Sequence, residues 1–171
     1  MKKIRLLPLR EVNTIAFKEE MQEAFQHGFQ SYYKGDNQWQ VLPDKDFYLS
    51  LETEGAEAYE AIDKDGKRVG GAIITIDAAK HRGELAFLYV KVGVQSKGIG
   101  QSIWKAIEAL HPEIEVWETC TPYFDRRNIH FYINRCGFHA VEFFNEHHPD
   151  PNMPEQFDQE DGLFKFEKRM R

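Results

Sequence analysis

Residues 95–100 read Gln-Ser-Lys-Gly-Ile-Gly, a polar turn with two glycines and a lysine, set between the apolar run ELAFLYV and an amphipathic stretch that begins at Ile99. A strand that passes into a helix at this point leaves the helix's first backbone N–H groups without intrahelical partners. Glycine there clears away side chains that would hold a ligand off those donors. The helix dipole and the Lys97 ammonium add positive charge, so the turn has the chemistry of a phosphate or pyrophosphate cradle. Alternatives stay open at this level. A dinucleotide-binding turn wants a third glycine, which GIGQSI lacks. A P-loop wants Gly-Lys-Ser/Thr at the helix entrance, which is also absent. A tight strand–helix turn without any ligand fits the two glycines equally well.

Other reactive side chains are few. Glu84 opens the apolar run beside Leu85 and Phe87. A carboxylate on a central strand in such surroundings has a raised pKa, which suits a general base near neutrality. A solvent-facing glutamate at a strand start, next to Gly83, explains the residue equally well. Cys120 and Cys136 are the two cysteines, too few for a disulfide framework and fitting for a reducing cytoplasm. Cys136 reads as a small buried hydrophobe in a last helical turn, not as a nucleophile paired with His130. His147 and His148 lie in a Pro-rich loop without metal-ligand spacing, so no metal site is expected.

A net charge of −6 lacks the clustered cations of a nucleic-acid binder. No apolar run reaches the length of a membrane span, and Pro8 and Arg10 break up the N-terminal leucines that could suggest a leader peptide. At 171 residues the chain suits one domain over 1–171.

The elements that must position these groups follow from periodicity. Strands are expected at 3–9, 58–63, 68–77, 84–92, 113–120, 138–145 and 163–170, the first an edge strand because of Pro8. Helices are expected at 13–33, 43–55, 99–110 and 126–136, with Ile99, Ile103, Ala106, Ile107 and Leu110 on one face of the third. The order β-α-α-β-β-β-α-β-α-β-β predicts an α+β fold (three α/β layers): a central mixed sheet of six to seven strands flanked by about four helices.

LYVKVGVQSKGIGQSI resembles the acetyl-coenzyme A signature of the GNAT superfamily of N-acetyltransferases, whose (Gln/Arg)-x-x-Gly-x-(Gly/Ala) turn corresponds to Gln95, Ser96, Lys97, Gly98, Ile99 and Gly100. DRRNIHFYINRCGF is similar to the family's second motif, and the element order matches the GNAT fold across nearly the whole chain. The resemblance implies acetyl-CoA as acyl donor, held by the turn with Gln101, by Leu88 and Val90 on the strand, and by Asn128. It implies direct transfer to an amine, with the carbonyl polarised by main chain near Val90 or Lys91. Tyr132 falls where the family keeps the acid for the departing thiolate, and Glu84 where some members keep the base. Asp125 replaces the usual Asn of the second motif, the hint behind an alternative reading as a non-catalytic acyl-CoA-binding regulatory module.

The acceptor side is expected from the segment between the first two helices, with Tyr33 and Trp39 as substrate-binding candidates, and from residues 145–162, which carry six carboxylates and no Lys or Arg. Aromatics beside carboxylates suit an ammonium. The acceptor expected is a small-molecule amine, or a peptide N-terminus or lysine, with no nucleic-acid or membrane partner. A homodimer through Trp39 or the Phe143–Phe144 pair is a further expectation.

Overall fold

The computed structural model describes residues 4–31, 40–94, 98–123, 125–151 and 162–170. Its strands are β1 (Arg5–Pro8), β2 (Ala56–Ile62), β3 (Arg68–Asp77), β4 (Arg82–Val90), β5 (Val116–Pro122), β6 (His139–Phe144) and β7 (Leu163–Arg169). Its helices are α1 (Thr14–Gln30), α2 (Asp44–Glu52), α3 (Ile99–Leu110) and α4 (Arg126–His130), the last continued by a π turn over Phe131–Arg135. The element order is the one expected from periodicity.

The strands form a 7-stranded sheet in the order β1-β2-β3-β4-β5-β7-β6. Every neighbouring pair is antiparallel except β4 and β5. β1 lies at one edge, where Pro8 withholds no ladder bond from an outer neighbour.

Each face of the sheet carries its own core. On one, Phe17, Met21 and Ala24 of α1 and Phe47 of α2 pack on Ile73 and Tyr89. On the other, Ile99, Ile103, Trp104 and Ile107 of α3 pack with Trp117, Tyr132, Phe138 and Phe166. The 3.6-residue spacing of the α3 isoleucines makes that second stripe. Leu110, expected on it, is 47% exposed because it closes the helix and no further turn covers it. Phe144 of the proposed exposed pair is buried, so only Phe143 stands at the surface.

One irregularity shapes the centre. β3 and β4 slip register between Ile73 and Ile74, which face Phe87 and Leu85, so Ala86 is an extra residue. Ala86 and Phe87 therefore both pack toward α1 and α2, while Leu85, Leu88 and Val90 pack toward α3.

Candidate active site

β4 and β5 pair over three positions, Arg82 with Val116, Gly83 with Trp117 and Glu84 with Glu118, and then part. At the parting point the buried Thr119 hydroxyl donates to the Leu85 carbonyl, 2.9 Å away, in place of a ladder bond. Beyond it opens a cleft of about 1230 Å³, lined from both faces of the sheet.

On the α3 side the cleft is bordered by Leu88, Val90, Gly98, Gly100, Asn128 and Tyr132. Gly98 enters α3 at φ 74°, a left-handed conformation that glycine adopts without a Cβ penalty. Gly100 needs its missing side chain for a different reason: a Cβ there would lie 3.1 Å from the Phe131 ring and 3.5 Å from Val90. The backbone at the start of α3 can thus come close to whatever fills this end. The side chain of Ile99 is buried in the core, which leaves only its main chain to the cleft. Gln101 donates its amide to the Arg135 carbonyl at 2.9 Å and so ties α3 to the π turn. Gln95, Ser96, Lys97, Tyr33 and Trp39 lie outside the described residues.

Asp125 is the N-cap of α4. It accepts from the Asn128 backbone N–H at 3.0 Å and from the Asn128 amide at 2.9 Å. Asp125 thus serves as a helix cap, a role that the family's Asn would fill equally well. Burial raises the Asp125 carboxyl above its ordinary pKa.

Tyr132 is more deeply buried than Phe131, which packs partly buried against the same core. The cause is the π turn. Cys136 N–H bonds to Phe131 O at 3.0 Å, five residues back, and the wider turn carries Tyr132 inward onto Phe138 and Phe166. Burial pushes the phenol well above its usual pKa, while the Thr119 hydroxyl works in the other direction. Tyr132 is therefore a protonated phenol across the neutral range.

The α1/α2 side carries a different chemistry. Glu84, Glu118 and Cys120 point that way by strand alternation, with Lys165 as the register partner of Cys120. Glu118 takes two bonds from Arg82, at 2.5 and 2.9 Å, and faces Lys165 at 3.5 Å. Glu84 makes no hydrogen bond or ion pair among the described residues. Burial, and then the Glu118 charge, raise its carboxyl pKa. Glu84 is open to the cleft rather than sealed in protein, so the strand-start reading and the base reading meet in one residue: exposed, but facing the cleft.

Cys120 also opens onto the cleft, and burial of its sulfur pushes the thiol up to about 12. Cys136 is buried and likewise raised to about 12. Neither is a thiolate, which disfavours a covalent intermediate. His148 is held by its stack on Phe144 at 5.6 Å and its contact to Glu142 at 2.7 Å. Among the described residues no group of three His, Cys, Asp or Glu is placed to hold a metal.

The main-chain expectation narrows. Lys91 N–H donates to Val69 O at 2.8 Å and is committed to the β3 ladder. By antiparallel alternation the N–H groups of Leu88 and Val90 face the parting instead. Sequence reasoning missed Thr119, and missed Arg127 and Arg135, which also line the cleft. The only signal for the arginines was the basic content of DRRNIHFYINRC.

Comparison with known proteins agrees with this architecture. The model of the acetyltransferase (GNAT) family matches residues 15–138. A Bacillus subtilis (strain 168) protein described as uncharacterized, YrkN, is 39% identical over 176 residues, covering 99% of this chain and 95% of that one. Among solved structures, a Bacillus subtilis acetyltransferase in complex with CoA superposes with a TM-score of 0.68 at 20% identity, covering 99% of this chain and 100% of the other. A GNAT family acetyltransferase from Elizabethkingia anophelis with acetyl-CoA bound gives 0.69 at 14% identity, covering 98% of each chain.

Proposed function

The chain belongs to the GNAT family of acetyltransferases, and on that footing we propose that it transfers acetyl from acetyl-CoA directly to an amine, residues 1–171 acting as one domain. The observation that carries the reading is the cleft at the β4–β5 parting, with a glycine-lined helix start on one face of the sheet and an unpaired glutamate on the other.

The donor fits the α3 side. Its pyrophosphate would take main-chain N–H groups of Gly98, Ile99 and Gly100 together with the turn residues Gln95, Ser96 and Lys97. Asn128 and the Gln101 region would border it, and Arg127 and Arg135 would supply charge. Leu88 and Val90 would flank the pantetheine arm with their side chains and offer main-chain polarity to the acetyl carbonyl.

The acceptor approaches from the α1/α2 side. Glu84 takes a proton from the ammonium and frees the amine lone pair. The new N–C bond forms as the C–S bond breaks, the second proton on the nitrogen passes to water in the open cleft, and Tyr132 passes its own proton to the departing sulfur. Burial raises the Tyr132 phenol, so it holds its proton at neutral pH until the thiolate departs. The acceptor is a small-molecule or peptide amine; Phe25, Phe29 and Asp46 join Glu84 along this wall, an apolar and anionic mixture that suits an alkylammonium. With both cysteines free, we place the protein in the cytoplasm.

The test compares thermal shifts with acetyl-CoA, NAD and ATP, followed by detection of free thiol over a panel of polyamines, amino acids, aminoglycosides and peptides. Acetyl-CoA alone should raise the melting temperature, and one amine class should release CoA. A shift with NAD or ATP but not with acetyl-CoA would overturn the assignment.

A further inference from the structure

Thr119 occupies the point at which the sheet opens, and its surroundings fix what its hydroxyl can do. The residue is 2% exposed and donates its single hydroxyl hydrogen to Leu85 O at 2.9 Å. Its register partner on β7 is Phe166, and Phe166 packs on the Tyr132 ring at 6.0 Å. Thr119 and Tyr132 therefore share the α3 face with Phe166, and the Thr119 hydroxyl offsets part of the upward push that burial gives the phenol. Both residues line the cleft. Cys136, Asp125 and Cys120 also bear on the phenol, and each raises it further.

We propose that Thr119 is a positioning residue for proton transfer, its hydroxyl turning from the Leu85 carbonyl to the Tyr132 oxygen as the phenol gives up its proton. In the resting enzyme the hydroxyl satisfies a neutral carbonyl. When the Tyr132 O–H bond breaks and the S–H bond of the leaving thiol forms, the electron pair stays on the phenol oxygen. A hydrogen bond to an anion is roughly twice as strong as one to a neutral acceptor, so the hydroxyl moves to the phenolate. It returns when Tyr132 regains a proton from solvent. A buried phenolate without this donor would bear the full cost of an unpaired charge. This extends the reading of Tyr132 as the acid and depends on it for its purpose in turnover.

The test needs neither an acceptor nor turnover. 3,5-Difluorotyrosine is installed at position 132 and its ionisation followed by ¹⁹F NMR in the otherwise unchanged protein, in Thr119→Val and in Thr119→Ser. Thr119→Val should raise the phenol pKa by about one unit, roughly tenfold in proton affinity, and Thr119→Ser should restore it. Thr119→Ala serves as the hydroxyl-free variant should Thr119→Val fail to fold. An unchanged pKa in the hydroxyl-free variant, or a serine variant that matches it, would overturn the proposal. The acid reading fails separately, if Tyr132→Phe turns over as fast as the unmodified enzyme, and that result leaves the titration interpretable.

Discussion

Glu84 and Tyr132 stand on opposite faces of one sheet at the same parting between β4 and β5. Glu84 faces α1 and α2, Tyr132 faces α3, and the break between them is the route by which their chemistry can meet. A base and an acid so divided serve two substrates that enter from different sides, which is what transfer from a thioester to an amine requires.

Replacing Tyr132 by Phe removes the phenol and keeps the ring packing on Phe138 and Phe166. The expected outcome is a kcat lower by on the order of 10²-fold with acetyl-CoA affinity unchanged, read by steady-state kinetics beside calorimetric titration. Because burial raises this phenol, the unmodified enzyme should show no loss of rate from tyrosine ionisation up to about pH 10.

Glu84→Gln should lower the rate by on the order of 10²-fold near neutrality. In the unmodified enzyme the rate should fall as pH drops through a carboxyl pKa above the ordinary range, since the base works only when ionised. Stability runs the other way. A carboxyl whose folded pKa is raised binds its proton more tightly in the fold, so its ionisation opposes folding as pH rises through the unfolded and then the folded pKa. Glu84→Gln should therefore melt higher than the unmodified protein at pH 7.5, with the gap closing toward acid. A lower melting point at pH 7.5 would refute this account of Glu84.

Arg68 bridges Glu20 at 2.9 Å and Glu60 at 2.6 Å, and Glu20 also accepts from the Tyr89 hydroxyl at 2.8 Å. Arg68→Met leaves two carboxylates partly buried and unpaired, and should cost about 3 kcal/mol in urea unfolding. Burial alone would raise the Glu20 pKa, but the bonds from Arg68 and Tyr89 outweigh it and the net shift is downward. The stability this group contributes is present above its unfolded pKa and is lost as pH falls through the lowered folded value. Acid titrations of the unmodified protein and of Glu20→Gln should therefore draw together as pH falls below the ordinary glutamate range.

Gly83 lies against the Trp117 indole, where any Cβ would run into the ring. Gly83→Ala should destabilise the protein by on the order of 3 kcal/mol through overpacking of a fully buried tryptophan. Gly98 has open space around it, so Gly98→Ala costs only left-handed backbone strain, about 1 kcal/mol. Its signature should be weaker acetyl-CoA binding, with Gly98→Asn less affected than Gly98→Ala because Asn tolerates that conformation.

Much of this was legible in the residues. α3 runs from Ile99 to Leu110 as its periodicity predicts, because local apolar spacing decides such a helix. The depth to which Tyr132 is buried was not legible, because a π turn shifts the phase of a helix and no simple period anticipates an inserted residue. Asp125 was legible as a cap, since Asp lies three residues before Asn128, but its position in the family motif drew attention to ligand chemistry instead. Thr119 and the Arg82–Glu118–Glu167 cluster were invisible for another reason. Their partners lie 34, 36 and 85 residues away in the chain, and only strand register brings them together.

The short parallel seam has a mechanical consequence. β1 through β4 form one antiparallel sheet and β5, β7 and β6 another, and within the sheet three residue pairs stitch them together. A molecule lodged in the opening works as mortar between two plates, touching both where the stitching stops. Occupancy should therefore stiffen the joint itself, slowing amide exchange along Leu85–Val90 and Thr119–Thr121 more than within either plate. The protein's rigidity would then report its loading state.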